Sequence, residues 1–97
     1  MTVSVLIVSF NAKDDLARCL ESILGVPPAR LRELVVVDNA SSDGVPELVE
    51  SRFPTVRLVR AGRNLGFARA NNLGIRQTSG EHVLLLNPDT VLSLIHI

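Results

Sequence analysis

The spacing of apolar residues changes period several times along the chain, and each change marks an element. Val3 to Val8 is nearly all apolar and rich in β-branched residues, the pattern of a strand buried on both faces. Ala12, Leu16, Cys19, Leu20 and Ile23 then fall on one stripe of a helix, with Asn11 placed to cap it and Asp14 and Asp15 as favourable charge in its first turn. Gly25, Pro27 and Pro28 stop that helix. Leu34 to Val37 reads as a second buried strand, after which Ser42 or Asp43 can cap a short helix reaching about Arg52. Val56 to Val59 gives a third strand.

Beyond the loop AGRNLG, the stretch from Phe67 to Thr78 puts Phe67, Ala70, Asn71, Gly74 and Ile75 at helical spacing, and Ser79-Gly80 closes it. Val83 to Leu86 is a fourth strand, stopped by Asn-Pro-Asp. The alternation β-α-β-α-β-α-β predicts the α/β class, with a Rossmann-like parallel sheet, helices on both faces and right-handed crossovers. The common strand order 3-2-1-4 leaves the fourth strand at an edge.

Composition narrows the function classes. With 97 residues, 46% of them hydrophobic and 21% charged, the chain makes one soluble globular domain at most. Ten basic and ten acidic residues cancel, with no block of either sign, so a nucleic acid or an anionic membrane surface is not an expected partner. The single Cys19 excludes an internal disulfide and reads as core packing on the helix stripe. The apolar start VSVLIV is too short to span a membrane and lacks the flanks of a signal peptide, which points to a cytoplasmic chain, at most peripheral at the inner face of the cell membrane. The last six residues, LSLIHI, match one reading frame of the transposase adapter end used in sequencing libraries. The expectation is therefore natural sequence over residues 1–91 and an adapter-derived tail over 92–97.

Chemistry is expected where the strands end. In open parallel sheets ligands bind beyond the carboxyl ends of the strands, where the strand order reverses. The order 3-2-1-4 makes neighbours of Asp38, of Ser9 with Asn11, and of Asn87 with Asp89. One of the two carboxylates can accept hydrogen bonds from a ribose or base while the other meets a hard cation, Mg2+ or Mn2+, whose shell phosphate and water complete. A nucleoside diphosphate fits both roles. Arg63 can pair with phosphate or stack on a base, and Gly66 permits close backbone approach. Plainer readings exist for each: Asp38 as a turn former, Asp89 as a Pro-turn or helix cap, Arg63 as a solvated loop charge, and Asn71 and Asn72 as exposed helix residues. His82 has no partner ligand at metal spacing and is given no role.

The stretches VSVLIVSFN, LVVVDNASSDG, GRNLGFARANNLGI and VLLLNPDT, in that order, resemble the nucleotide-binding half of glycosyltransferase family 2 enzymes of the GT-A fold, rhamnosyltransferase-like members most of all. The resemblance covers residues 2 to 91 and implies an incomplete GT-A domain. It puts Ser9, Phe10, Asn11 and Asp38 beside the base or ribose, and Arg63 near the base or diphosphate. Asn64, Gly66, Phe67, Asn72 and Gly74 would shape the donor pocket. NPD stands where many members carry Asp-x-Asp, making Asp89 the metal ligand and Asn87 a hydrogen-bonding position. The implied reaction is metal-dependent, inverting sugar transfer from a nucleoside-diphosphate sugar, dTDP-rhamnose or a UDP-sugar, to a glycan or lipid-linked acceptor in cell-surface polysaccharide synthesis. The carboxylate base of the family lies downstream of the metal motif and has no counterpart here, so the chain is expected to bind donor without complete catalysis.

Three other readings are weaker or narrower. A dinucleotide-dependent dehydrogenase needs Gly-x-Gly-x-x-Gly after the first strand, where this chain has Ser-Phe-Asn. A phosphoacceptor domain needs an acidic pair there. A non-catalytic module that binds a nucleotide sugar shares every motif and is separated from an enzyme only by transfer activity.

Overall fold

The computed structural model describes residues 3–25, 31–79 and 81–88. Its elements follow in the order β1 (Val3–Ser9), α1 (Lys13–Leu24), β2 (Leu31–Asp38), α2 (Val45–Arg52), β3 (Arg57–Arg60), α3 (Phe67–Arg76) and β4 (His82–Leu86). All pairings are parallel, and the strand order is β3-β2-β1-β4, as the alternation of elements predicts. The first two crossovers move the chain outward from β1 to β3, and the third returns it past β1 to β4. Right-handedness at every step therefore puts α1 and α2 on one face and α3 on the other.

Two apolar layers result, and the side-chain alternation of the strands sorts residues between them. On the face of α1 and α2, Val5 and Ile7 of β1 and Leu34 and Val36 of β2 join Leu16, Cys19, Leu20 and Ile23 of α1 in a cluster of thirteen buried residues among those described. On the other face Leu6, Val8, Val35 and Val37 meet Ala70 of α3 in a cluster of only five. Close approach compensates for the few side chains there. A Cβ added at Gly74 would lie 2.4 Å from Leu6 Cδ1 and 2.9 Å from Val37 Cγ2, so α3 rests almost directly on β1 and β2.

Several local expectations are corrected. β2 begins three residues before Leu34, and β3 is shifted by one residue to Arg57–Arg60, because hydrogen-bonding register carries polar residues into both strands. Asn11 does not cap α1: the cap position is Ala12, and the Lys13 amide donates to Asp43 Oδ2 at 3.0 Å. Asp43 is thus spent on α1, and α2 starts instead from Gly44 with no side-chain cap. Phe67 and Ile75, at the ends of the predicted stripe, are exposed. Val83, Leu84 and Leu85 of β4 are exposed on both faces of the strand, which among the described residues pairs only with β1. No helix among the described residues is long and apolar enough to cross a membrane. The expected metal ligand Asp89, the helix stop at Pro27-Pro28, Gly80 and the tail 92–97 lie outside the described residues.

Candidate functional site

A cleft of about 370 Å3 opens at the carboxyl end of the sheet. Its walls are Val8 and Phe10 at the end of β1, Ala12 and Asp15 at the start of α1, Phe67 at the start of α3, and Asn87 with Pro88 just past β4. This is the point where the strand order reverses, since the chain leaves β1 toward β2 on one side and reaches β4 from the other. The size lies in the range of small-molecule sites. Phe10 is 48% exposed and Phe67 61%, so two aromatic rings stand in water at the rim. Exposed aromatic faces suit stacking against a planar group.

The helix termini at this end differ in charge. α1 opens with Asp14 and Asp15, the latter paired with Arg18, and Asp43 occupies its first amide. α3 has no acidic residue in its first turn and no side-chain cap. Its free amides make that edge the electropositive one. Gly66, at φ 80° and ψ 164°, lets the backbone enter α3 at an angle that a side chain would resist.

The predicted site residues divide into groups. Ser9 and Asp38 are paired across β1 and β2. Ser9 Oγ is buried without a hydrogen-bond partner, and Asp38 is 4% exposed with Oδ1 accepting the Ser41 amide at 3.1 Å. Asp38 therefore does form the turn, and neither residue lines the cleft. Phe10 and Asn87 line it together. Asn11 adopts φ 50°, and its Oδ1 accepts the Ser42 amide at 2.8 Å while its own amide donates to Ser41 Oγ at 3.0 Å. Its carboxamide oxygen ties the β1–α1 turn to the β2–α2 turn. Arg63 and Asn64 are exposed on the loop ahead of α3, and Asn72 is exposed on α3, whereas its neighbour Asn71 is buried. Asn39 is the residue that sequence reasoning passed over. It is 3% exposed, and its side chain bonds to both Asn64 and Leu65, contacts that span 25 and 26 residues of chain.

The turn after β2 also holds Ala40 at φ 65°, a conformation costing a non-glycine residue about 1–2 kcal/mol. Ala40→Gly should raise the midpoint of thermal unfolding by a few degrees, because relief of that strain exceeds the added freedom of the unfolded chain. A lowered midpoint in a circular-dichroism melt would contradict the strained geometry. No three His, Cys, Asp or Glu side chains among the described residues cluster to hold a metal ion.

Comparison with known proteins agrees with the fold. The model of the family described as Glycosyl transferase family 2 matches residues 4–94. N-acetylglucosaminyl-diphospho-decaprenol L-rhamnosyltransferase of Mycobacterium tuberculosis (strain CDC 1551 / Oshkosh) is 34% identical over 96 residues, 88% of this chain and 31% of that protein. S. aureus TarS 1-349 in complex with UDP superposes with a TM-score of 0.85 at 25% identity, over 97% of this chain and 29% of its own. Mannosyltransferase PcManGT from Pyrobaculum calidifontis, in complex with GDP-Man and Mn2+, gives a TM-score of 0.82 at 31% identity, over 92% of this chain and 28% of its own. The chain spans a little under a third of the length of each of these.

Proposed function

The chain belongs to glycosyl transferase family 2, and on that premise we propose that it is the donor-binding part of a metal-dependent, inverting glycosyltransferase. The observation that carries this reading is the place of the cleft, at the strand-order reversal, with Phe10 and Phe67 on its rim and the uncapped start of α3 beside it. A nucleoside diphosphate suits such a site chemically. Its base has aromatic faces to meet, and its diphosphate finds an electropositive helix end on the α3 side, away from Asp14 and Asp15. Asp38, paired with Ser9, the residue between the wall residues Val8 and Phe10, is assigned to the base or ribose, and Arg63 to the diphosphate or base. Asn64 and Gly66 shape the approach to α3, and Asn72 a more distant part of the pocket.

Mg2+ or Mn2+ would be held by Asp89, since Asn87 offers only a neutral amide at the cleft and Asp15 is engaged with Arg18. Bound there, the ion would supply charge stabilisation for the departing diphosphate. The donor proposed is a nucleoside-diphosphate sugar, dTDP-rhamnose or a UDP-sugar, and the acceptor a glycan or lipid-linked hydroxyl; a relative named as an L-rhamnosyltransferase and the complex of TarS with UDP support the nucleotide-sugar class.

Calorimetry of the 97-residue chain with UDP, dTDP or GDP in the presence of Mn2+ tests the reading. One of the three should bind, and chelation of the metal by EDTA should weaken that binding at least tenfold. Folded protein that binds none of them ends the donor-binding reading. Binding indifferent to EDTA removes the metal from it.

A further inference from the structure

We propose that Asn39 is a positioning residue for the donor site, holding the loop ahead of α3 in the conformation that sets Arg63 and Phe67; the inference rests on the donor-binding reading above. Asn39 continues β2 by one step. Its amide donates to Ser9 O at 2.8 Å, so its backbone moves with the sheet. Its carboxamide then reaches across to the segment that joins β3 to α3. Oδ1 accepts the Leu65 amide at 2.8 Å, and Nδ2 donates to Asn64 Oδ1 at 2.9 Å. Asn64 Oδ1 in turn accepts the Gly66 amide at 2.9 Å. Two side-chain amides thus bind three consecutive loop residues to the end of the central strands.

Among the described residues little else fixes that loop. Gly62 and Gly66 bracket it at φ 82° and 80°, and neither has anything within 4 Å of where a Cβ would stand. Arg63 and Asn64 are exposed. Phe67, which follows Gly66, is both the first residue of α3 and part of the cleft wall. A buried carboxamide is costly unless its donor and acceptor are both used, and here both are used on the loop alone. The carboxamide therefore converts a glycine-flanked, solvent-facing segment into a fixed edge of the site, so that a ligand meets Arg63 and Phe67 already in place.

The test compares Asn39→Ala and Asn39→Asp with the unaltered chain in two measurements. One is affinity for UDP, dTDP and GDP with Mn2+; the other is amide hydrogen exchange at Leu65 and Gly66, with Val36 in β2 as internal reference. Asn39→Ala should weaken nucleotide binding at least tenfold and speed exchange at Leu65 and Gly66 at least tenfold, leaving Val36 unchanged. Asn39→Asp keeps an acceptor for Leu65 and loses the donor to Asn64, so it should fall between the two. Faster loop exchange with undiminished affinity would overturn the positioning role and leave the donor-binding reading standing. Equal acceleration at Val36 would show a general stability role and overturn it too. If the unaltered chain binds no nucleotide, the donor-binding reading fails and the inference fails with it.

Discussion

Gly74→Ala should destabilise the chain by about 1–3 kcal/mol, and Gly74→Val should leave little folded protein at room temperature. The direction is the informative part. At an exposed helix position alanine exceeds glycine by roughly 1 kcal/mol, so an open site would give a gain. Here the new methyl group would sit 2.4 and 2.8 Å from the two methyls of Leu6 and 2.9 Å from Val37 Cγ2. Both residues are fully buried, and Val37 has little rotamer freedom with which to yield. For a domain of this size the alanine variant should melt roughly 4–20 °C lower. Thermal unfolding followed by circular dichroism measures the shift. An unchanged or raised midpoint would mean that α3 does not lie against β1 and β2 as described.

Asp38 carries the second large effect, and two substitutions separate its roles. Asp38→Asn retains an oxygen to accept the Ser41 amide, so the turn should survive and the melting midpoint should move by only a few degrees. What it removes is the charge. A hydrogen bond to a charged group contributes about 1.5–3 kcal/mol, so nucleotide affinity should fall roughly 10- to 150-fold. Asp38→Ala loses the turn as well and should cost stability of about 1–2 kcal/mol in addition. If Asp38→Asn binds nucleotide as well as the unaltered chain, Asp38 only shapes the turn, as its burial by itself would suggest.

What the sequence made legible was whatever depends on period and order. The two-sided apolar runs of β1 and β2, the stripe of α1 and the single alternation of strands with helices led to the observed parallel sheet and its order. The failures share one physical cause, contacts between segments far apart in the chain. Asp43 looks like a cap for the helix that follows it, yet its carboxylate serves Lys13, thirty residues back. Asn11 looks like a cap for α1 and instead holds Ser42. Asn39 sits among small polar residues that suggest an exposed loop, and only the return of residues 64–66 beside β2 buries it. The sequence pointed to the ends of β1, β2 and β4 as the candidate site; the cleft is walled by residues next to β1 and β4, and Asp38 of β2 is not in its wall. Phe67 shows the difference: its helical spacing did not say which way its ring would face, and it is the contact of α3 with the sheet through Ala70 and Gly74 that leaves the ring at the rim of the cleft.

The unequal division of apolar burial between the two faces also sets which wall of the cleft gives way. Opening fluctuations follow local burial, so the layer that five of the described residues secure should lift at lower cost than the layer secured by thirteen of them. The cleft is then a hard jamb on the α1 side and a softer leaf on the α3 side. Whatever small molecule bridges the two would tighten the looser half of the protein more than the firmer one.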